Sequence, residues 1–220
     1  MRPVIKLIIQ EVGLSTNNVY NISDSTVDKK AIVDNAISEY WYFARVLDEK
    51  TCNKIIDLAT EWQTAGVVNN LTSNSKPNTD IRVTDVTWCN EKWVYDLVWD
   101  YLNMANNNSN WNFKIDSCEA MQIARYNKKG HYDFHVDGNG YTKFENGNKF
   151  THGKTRKLSM SIVLNDDFEG GEFEFFSKEK INSKRGTVIV FPSYKLHRVK
   201  PVTEGTRYSL VTWFCGEPFR

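Results

Sequence analysis

The stretch GHYDFHVD carries two H-x-D tripeptides in succession, His131-Tyr132-Asp133 and His135-Val136-Asp137. In an extended strand alternate side chains share a face, so either tripeptide presents an imidazole and a carboxylate to the same side. A third ligand must come from elsewhere in the chain. His197 stands just beyond the turn residues Pro192-Ser193-Tyr194-Lys195, which follow the apolar run TVIVF. Two histidines and one carboxylate on one face of an iron ion leave other positions open for substrate and oxygen. The two tripeptides have the same parity, so spacing alone does not choose between them. His131 and His152 also lie beside Gly130 and Gly153, in turns where a solvated imidazole is ordinary.

Ten residues beyond His197, Arg207 opens the run RYSLVTWF, and by parity Ser209, Val211 and Trp213 share its face. An arginine at a strand start ordinarily lies at the surface with its stem over apolar neighbours. Turned inward it requires an anion, and its parallel N–H donors match a carboxylate. The far carboxylate of a dicarboxylate chelating the iron meets that requirement.

These residues need a rigid frame. From Cys118 onward the hydrophobic period falls to two, or to continuous apolar runs bounded by Gly, Asn, Asp and Pro, as short strands and turns require. The clearest runs are Ala120 to Tyr126, Tyr132 to Asp137, Lys157 to Leu164, Glu172 to Phe176, Gly186 to Phe191 and Arg207 to Phe214. Ahead of them, LDEKTCNKIIDLATEW reads as a helix, and a second helix runs from Glu91 to about Ala105. In that second helix Trp93, Leu97, Tyr101 and Met104 recur at three- and four-residue intervals, and the run Asn106 to Asn108 ends it. Helices followed by strands predict an α+β fold, with the helices packed on one sheet of a β-sandwich or jelly roll. The polar stretches Gly66 to Asp80 and Gly138 to Lys154 are long loops suited to closing over a site. Trp41, Trp88, Trp93, Trp99 and Trp111 are scattered through helices and strand starts, which points to core packing.

A chain of 220 residues is compatible with one all-β or α+β domain, here 38–220, with 1–37 as an N-terminal extension of a strand (Val4 to Ile9) and a polar loop. With 28 basic against 27 acidic residues, no overall field draws the protein to nucleic acid or to an acidic membrane. Cys52, Cys89, Cys118 and Cys215 are far apart and form no C-x-x-C pair, the pattern of free thiols in a reducing compartment. The opening MRPVIKLIIQ is interrupted by Lys6, and nowhere do about 18 apolar residues run together. A soluble, cytoplasmic protein is expected.

The segment YNKKGHYDFHVD resembles the Y-x-x-G-x-Y-x-x-H-x-D pattern of the prolyl-hydroxylase branch of the 2-oxoglutarate/iron(II) oxygenases. FEGGEFEF is similar to that family's Gly-Gly-Glu strand start, and GTVIVFPSYKLHRVKPVTEGTRYSLVTWF to its distal block. The resemblance covers about Tyr40 to Gly216, most of all the compact bacterial and phage members. It implies a double-stranded β-helix (jelly-roll) core and favours His135 over His131, giving His135, Asp137 and His197 as the metal and catalytic set. It further implies that Tyr126 and Arg207 bind 2-oxoglutarate and that Trp213 lies on the substrate side. Ser209 joins the cosubstrate residues by parity with Arg207 rather than through the resemblance.

The implied activity is 4-hydroxylation of a peptidyl proline, using Fe(II), O2 and 2-oxoglutarate, which is decarboxylated to succinate and CO2. Ascorbate is the implied reductant, and a peptide or protein the implied partner. Two rivals stand beside this reading. One is oxidation of another side chain, a small molecule or a nucleobase. Base demethylases of this superfamily usually carry a second arginine six positions after the first, where this chain has Trp213. The other is a non-enzymatic metal-binding jelly roll with zinc in the same ligands; such a site has no use for Arg207.

Overall fold

The computed structural model describes residues 37–68, 75–76, 78–145, 150–177, 181 and 184–220. The expected strand from Val4 to Ile9 lies outside the described residues.

In chain order the first elements are β1 (Trp41–Phe43), α1 (Glu49–Ile56), β2 (Gln63–Thr64), β3 (Val67–Val68), β4 (Ser75–Lys76), β5 (Arg82–Val83), β6 (Asp85–Cys89) and α2 (Lys92–Asn108). Strands then follow without a further helix among the described residues: β7 (Ser117–Cys118), β8 (Met121–Tyr126), β9 (His131–His135), β10 (Thr155–Val163) and β11 (Phe168–Gly170). The last are β12 (Phe173–Phe175), β13 (Val188–Pro192), β14 (His197–Val199), β15 (Val202–Gly205) and β16 (Arg207–Gly216).

A large sheet has the order β1-β13-β10-β16-β8-β6-β2, with β7 also on β16. A smaller sheet has the order β12-β14-β9-β5. All of their pairings are antiparallel. Alternation along the strands decides which layer each residue serves. Met121 and Ile123 of β8, Leu158, Met160 and Ile162 of β10, Val188 and Val190 of β13, and Leu210 and Phe214 of β16 share one core with residues of α1 and α2. Their strand neighbours Ala124, Tyr126, Ile189 and Phe191 point the other way, against Phe173, Phe175 and Val199 of the small sheet. The expected α+β architecture is therefore present: two facing antiparallel sheets with helices on the outer face of the larger.

Several local expectations are corrected. α1 ends at Ile56 rather than running on to Trp62. The N–H groups of Leu58 and Ala59 turn to the carbonyls three residues back, which tightens and closes the last turn. In α2 the fully buried face is Val94, Val98, Leu102 and Ala105, one residue on from Trp93, Leu97, Tyr101 and Met104. The slim aliphatic side chains meet the sheet and the wide aromatic ones flank it. The asparagines do not stop α2 but complete it. Asn106 donates to the Phe113 carbonyl at 2.9 Å and accepts the Phe113 N–H at 3.0 Å, holding the return of the chain. The stretch 66–80 contains the short ladder of β3 and β4 where a loop was expected. Trp111 is buried and donates to the Ser38 carbonyl at 2.6 Å, as core packing predicts, whereas Trp88 is 47% exposed.

Candidate metal centre and anion pocket

His135 closes β9 and His197 opens β14, and these strands pair with His197 opposite His135. Backbone register thus brings together two imidazoles 62 residues apart in the chain. Asp137 was expected to share the strand with His135, but β9 ends at His135 and Asp137 lies in the bend beyond. Its N–H and that of Gly138 both donate to the Ser193 carbonyl, at 2.9 and 3.1 Å. A loop anchor to the turn before His197 does what strand parity was expected to do.

The ligand atoms of His135, Asp137 and His197 all lie within 4.8 Å of one another. His135 Nε2 is 3.7 Å from Asp137 Oδ1, and His197 Nε2 is 3.6 Å from Asp137 Oδ2. Both separations exceed hydrogen-bond length. Each Nδ1 faces a backbone carbonyl, Asp133 O at 2.8 Å from His135 and Lys195 O at 2.9 Å from His197. A carbonyl only accepts, so each Nδ1 carries the proton and each Nε2 turns a lone pair toward the carboxylate. Asp137 Oδ2 is buried with no hydrogen-bond partner. Two lone pairs and an orphaned carboxylate oxygen converging on one point fit a cation, with the carbonyls orienting the imidazoles as metal ligands require.

His131, the competing histidine, turns its Nδ1 to Lys129 O at 2.9 Å and belongs to no such group among the described residues. His152 bonds the Glu145 carbonyl and is exposed.

Burial, reinforced by the neighbouring His197, pushes the His135 pKa down from 6.5 to about 4, against the pull of Asp137. Burial raises the Asp137 carboxyl, but the electrostatic influence of the neighbouring His197, His135 and Arg156 outweighs it and holds the carboxyl below its usual range. In the unfolded chain His135 takes up a proton at higher pH than in the folded one. Its folded-state contribution is therefore complete above about pH 6.5 and is lost as pH falls through about 4. In chelator, the melting-temperature advantage of wild type over His135→Gln should shrink as pH is lowered across that window. An advantage that does not change with pH would contradict the buried neutral imidazole.

Arg207 begins β16 opposite Tyr126 of β8. It is 1% exposed, and Nε and both terminal nitrogens have no hydrogen-bond partner. Its guanidinium carbon lies 5.4 Å from the Tyr126 ring centre and 6.0 Å from that of Phe168. Burial lowers the Arg207 pKa, opposed in part by Tyr126. A cation this deep without a partner is costly, and an anion relieves the cost. Ser209, two residues on, is 1% exposed with its hydroxyl also unpartnered. Both the anion pocket and the metal centre border one apolar interior: Phe191 lies 4.6 Å and Phe173 5.4 Å from the His197 ring, and Tyr126 packs in the same cluster.

Trp213 is buried with its Nε1 unpartnered, and the Arg156 guanidinium lies 4.0 Å over its ring. Arg156 was not anticipated. It forks onto Glu119 at 2.6 and 2.7 Å and donates to the Asp137 carbonyl at 3.2 Å. Arg82 was also missed: it lies 4.5 Å over Tyr132, whose ring stacks on His135 at 3.4 Å. Neither arginine sits in a motif with the residues it touches, so only tertiary contact reveals them.

Residues 121–215 match the model of the 2OG-Fe(II) oxygenase superfamily, a span that contains the metal triad, Tyr126, Arg207, Ser209 and Trp213. A PKHD-type hydroxylase of Synechococcus sp. (strain CC9311) is 27% identical over 184 residues, 77% of this chain and 74% of that protein. Another, of Stenotrophomonas maltophilia (strain R551-3), is 35% identical over 92 residues. That alignment spans 40% of each protein, so the chain covers about two-fifths of the length of such relatives. The fold is similar to that of the viral collagen prolyl hydroxylase of Paramecium Bursaria Chlorella virus-1 in its 2OG complex, with a TM-score of 0.57 and 22% identity over 81% of this chain and 97% of the other. With its two-histidine, one-carboxylate cluster held in a jelly-roll frame, the chain is similar to the 2OG-Fe(II) oxygenase superfamily over residues 121–215.

Proposed function

We propose that this protein is an Fe(II)- and 2-oxoglutarate-dependent hydroxylase of peptidyl proline, acting at C4, with ascorbate as reductant. The observation that carries the reading is Arg207, a fully buried guanidinium with no partner, facing the same interior as the His135/Asp137/His197 cluster. A structural zinc site has no need of such a cation.

His135, Asp137 and His197 would hold the metal through Nε2, a carboxylate oxygen and Nε2. Iron(II) bound there supplies the redox chemistry that couples O2 and 2-oxoglutarate decarboxylation to hydroxylation of a C–H bond. Arg207 would take the far carboxylate of 2-oxoglutarate, with Tyr126 and Ser209 beside it. Phe173, Phe175 and Phe191 make the surrounding wall apolar, which keeps water from the reacting groups and strengthens the carboxylate–guanidinium pair. Trp213 lies on the substrate side, and part of each of the two polar stretches expected to act as lids lies outside the described residues. Hydroxylation is supported by the PKHD-type hydroxylase relatives, and the proline substrate by the collagen prolyl hydroxylase of similar fold.

The test is succinate formation from 2-oxoglutarate by anaerobically iron-loaded protein after air is admitted, with and without a panel of proline-rich peptides. Peptide-stimulated succinate and the mass of one added oxygen on proline are expected. Succinate that no peptide stimulates would sink the proline substrate, and absence of iron-dependent succinate would sink the oxygenase reading.

A further inference from the structure

The residues after β16 return to the loop that follows Asp137. The Phe219 N–H donates to the Gly140 carbonyl at 2.9 Å, three residues beyond Asp137. Gly140 has φ +79°, and a Cβ there would collide with the Phe219 ring. The ring meets Tyr141 edge-on at 6.0 Å and Tyr194 at 6.3 Å. On its inner side it packs on Phe113 at 4.9 Å and on the buried Lys157, whose ammonium lies 4.3 Å from the ring centre.

Phe219 therefore touches both the loop that leaves Asp137 and the turn that leads into the strand of His197. Gly140 and Tyr141 belong to the loop that leaves Asp137. Tyr194 belongs to the turn that leads into His197. Between them the Asp137 and Gly138 N–H groups are fixed on Ser193, which is itself tied to Lys157 by its own N–H at 2.9 Å and to Ser159 by its hydroxyl at 2.9 Å. Gly138 is confined on its other side by Arg156. Asp137 has no strand ladder to hold it, so its position depends on these loop contacts.

We infer that Phe219 is a positioning residue of the metal centre, a clasp that seats the Asp137 loop on the turn before His197 and so sets the spacing of the carboxylate from the second imidazole. The inference rests on the metal reading of the triad. Gly140 is part of the same device, since only a residue without a Cβ lets the ring approach the loop at that backbone angle.

The measurement is Co(II) affinity of the full chain, followed by the visible absorption of the bound ion, together with the melting temperature in chelator. Losing an outer partner bonded directly to a ligand typically weakens metal binding about 10- to 100-fold, and Phe219, which acts on Asp137 through its loop, belongs at the lower end of that range. Phe219→Ala is expected to lose about tenfold or more in Co(II) affinity and to change the Co(II) spectrum, while Phe219→Tyr, which keeps the ring, stays near wild type. If Phe219→Ala is unfolded at the assay temperature, Phe219→Leu decides by the same criterion. Wild-type affinity and spectrum in Phe219→Ala, or in Phe219→Leu where that variant decides, would overturn the clasp alone. A wild-type protein that binds no Co(II) would overturn the metal reading on which it rests.

Discussion

His197→Ala is expected to remove iron-dependent succinate formation altogether, with a fall of at least about a hundredfold, since losing a ligand costs more than the 10- to 100-fold typical of losing a ligand's outer partner. His197 is 5% exposed, and its ring is fixed by Phe173, Phe191 and the Lys195 carbonyl. No other His, Cys, Asp or Glu among the described residues stands in that group to replace it. The substitution leaves Asp137 Oδ2 facing an empty space and cuts the ligand set from three to two. His197→Gln, which keeps most of the volume, should fold as wild type and also fail to turn over, so that misfolding and loss of metal are separated by its melting curve. Full activity in either variant would exclude His197 as a ligand.

Arg207→Met should act in opposite directions on stability and on cosubstrate use. Without 2-oxoglutarate the wild type keeps a guanidinium 1% exposed with no hydrogen-bond partner, a cost that an apolar side chain of similar length does not carry. The cosubstrate-free variant is therefore expected to melt higher than wild type. Its KM for 2-oxoglutarate should rise on the order of a hundredfold, equivalent to ~3 kcal/mol and within the range for deleting one partner of a buried charge pair. Addition of 2-oxoglutarate should raise the wild-type melting temperature through linkage and leave that of the variant nearly unmoved. An unchanged KM would show that Arg207 does not hold the cosubstrate. The same two curves test Ser209, since Ser209→Ala removes only a hydroxyl and should raise KM far less.

Much of this was legible in the chain because it depends on period and on local chemistry. The period-two alternation of RYSLVTWF places Arg207, Ser209 and Trp213 on one face of β16 and Leu210 and Phe214 on the other, and the two cores divide along that line. The order of elements, helices before strands, follows from hydrophobic spacing, and the sheet could bury its outer face only under those helices. Local rules fail past the end of the element to which they apply. Parity beyond His135 described Asp137 as a strand residue, and an asparagine run was read as a stop although Asn106 tethers the following loop.

The types of the candidate site groups and their positions in the chain are thus determined by the sequence itself: two histidines, one aspartate and one arginine, each at or just beyond the end of a strand. Tertiary structure decided the rest. Spacing left His131 and His135 equivalent, whereas pairing of β9 with β14 puts His135 opposite His197 and turns His131 to the Lys129 carbonyl. The Glu119–Arg156 fork, the Arg82–Tyr132–His135 stack and the Phe219 contact with Gly140 join residues remote from one another in the chain. The physical reason is that periodicity assigns a side chain to a face, while only the packing of two sheets decides which residues of those faces meet.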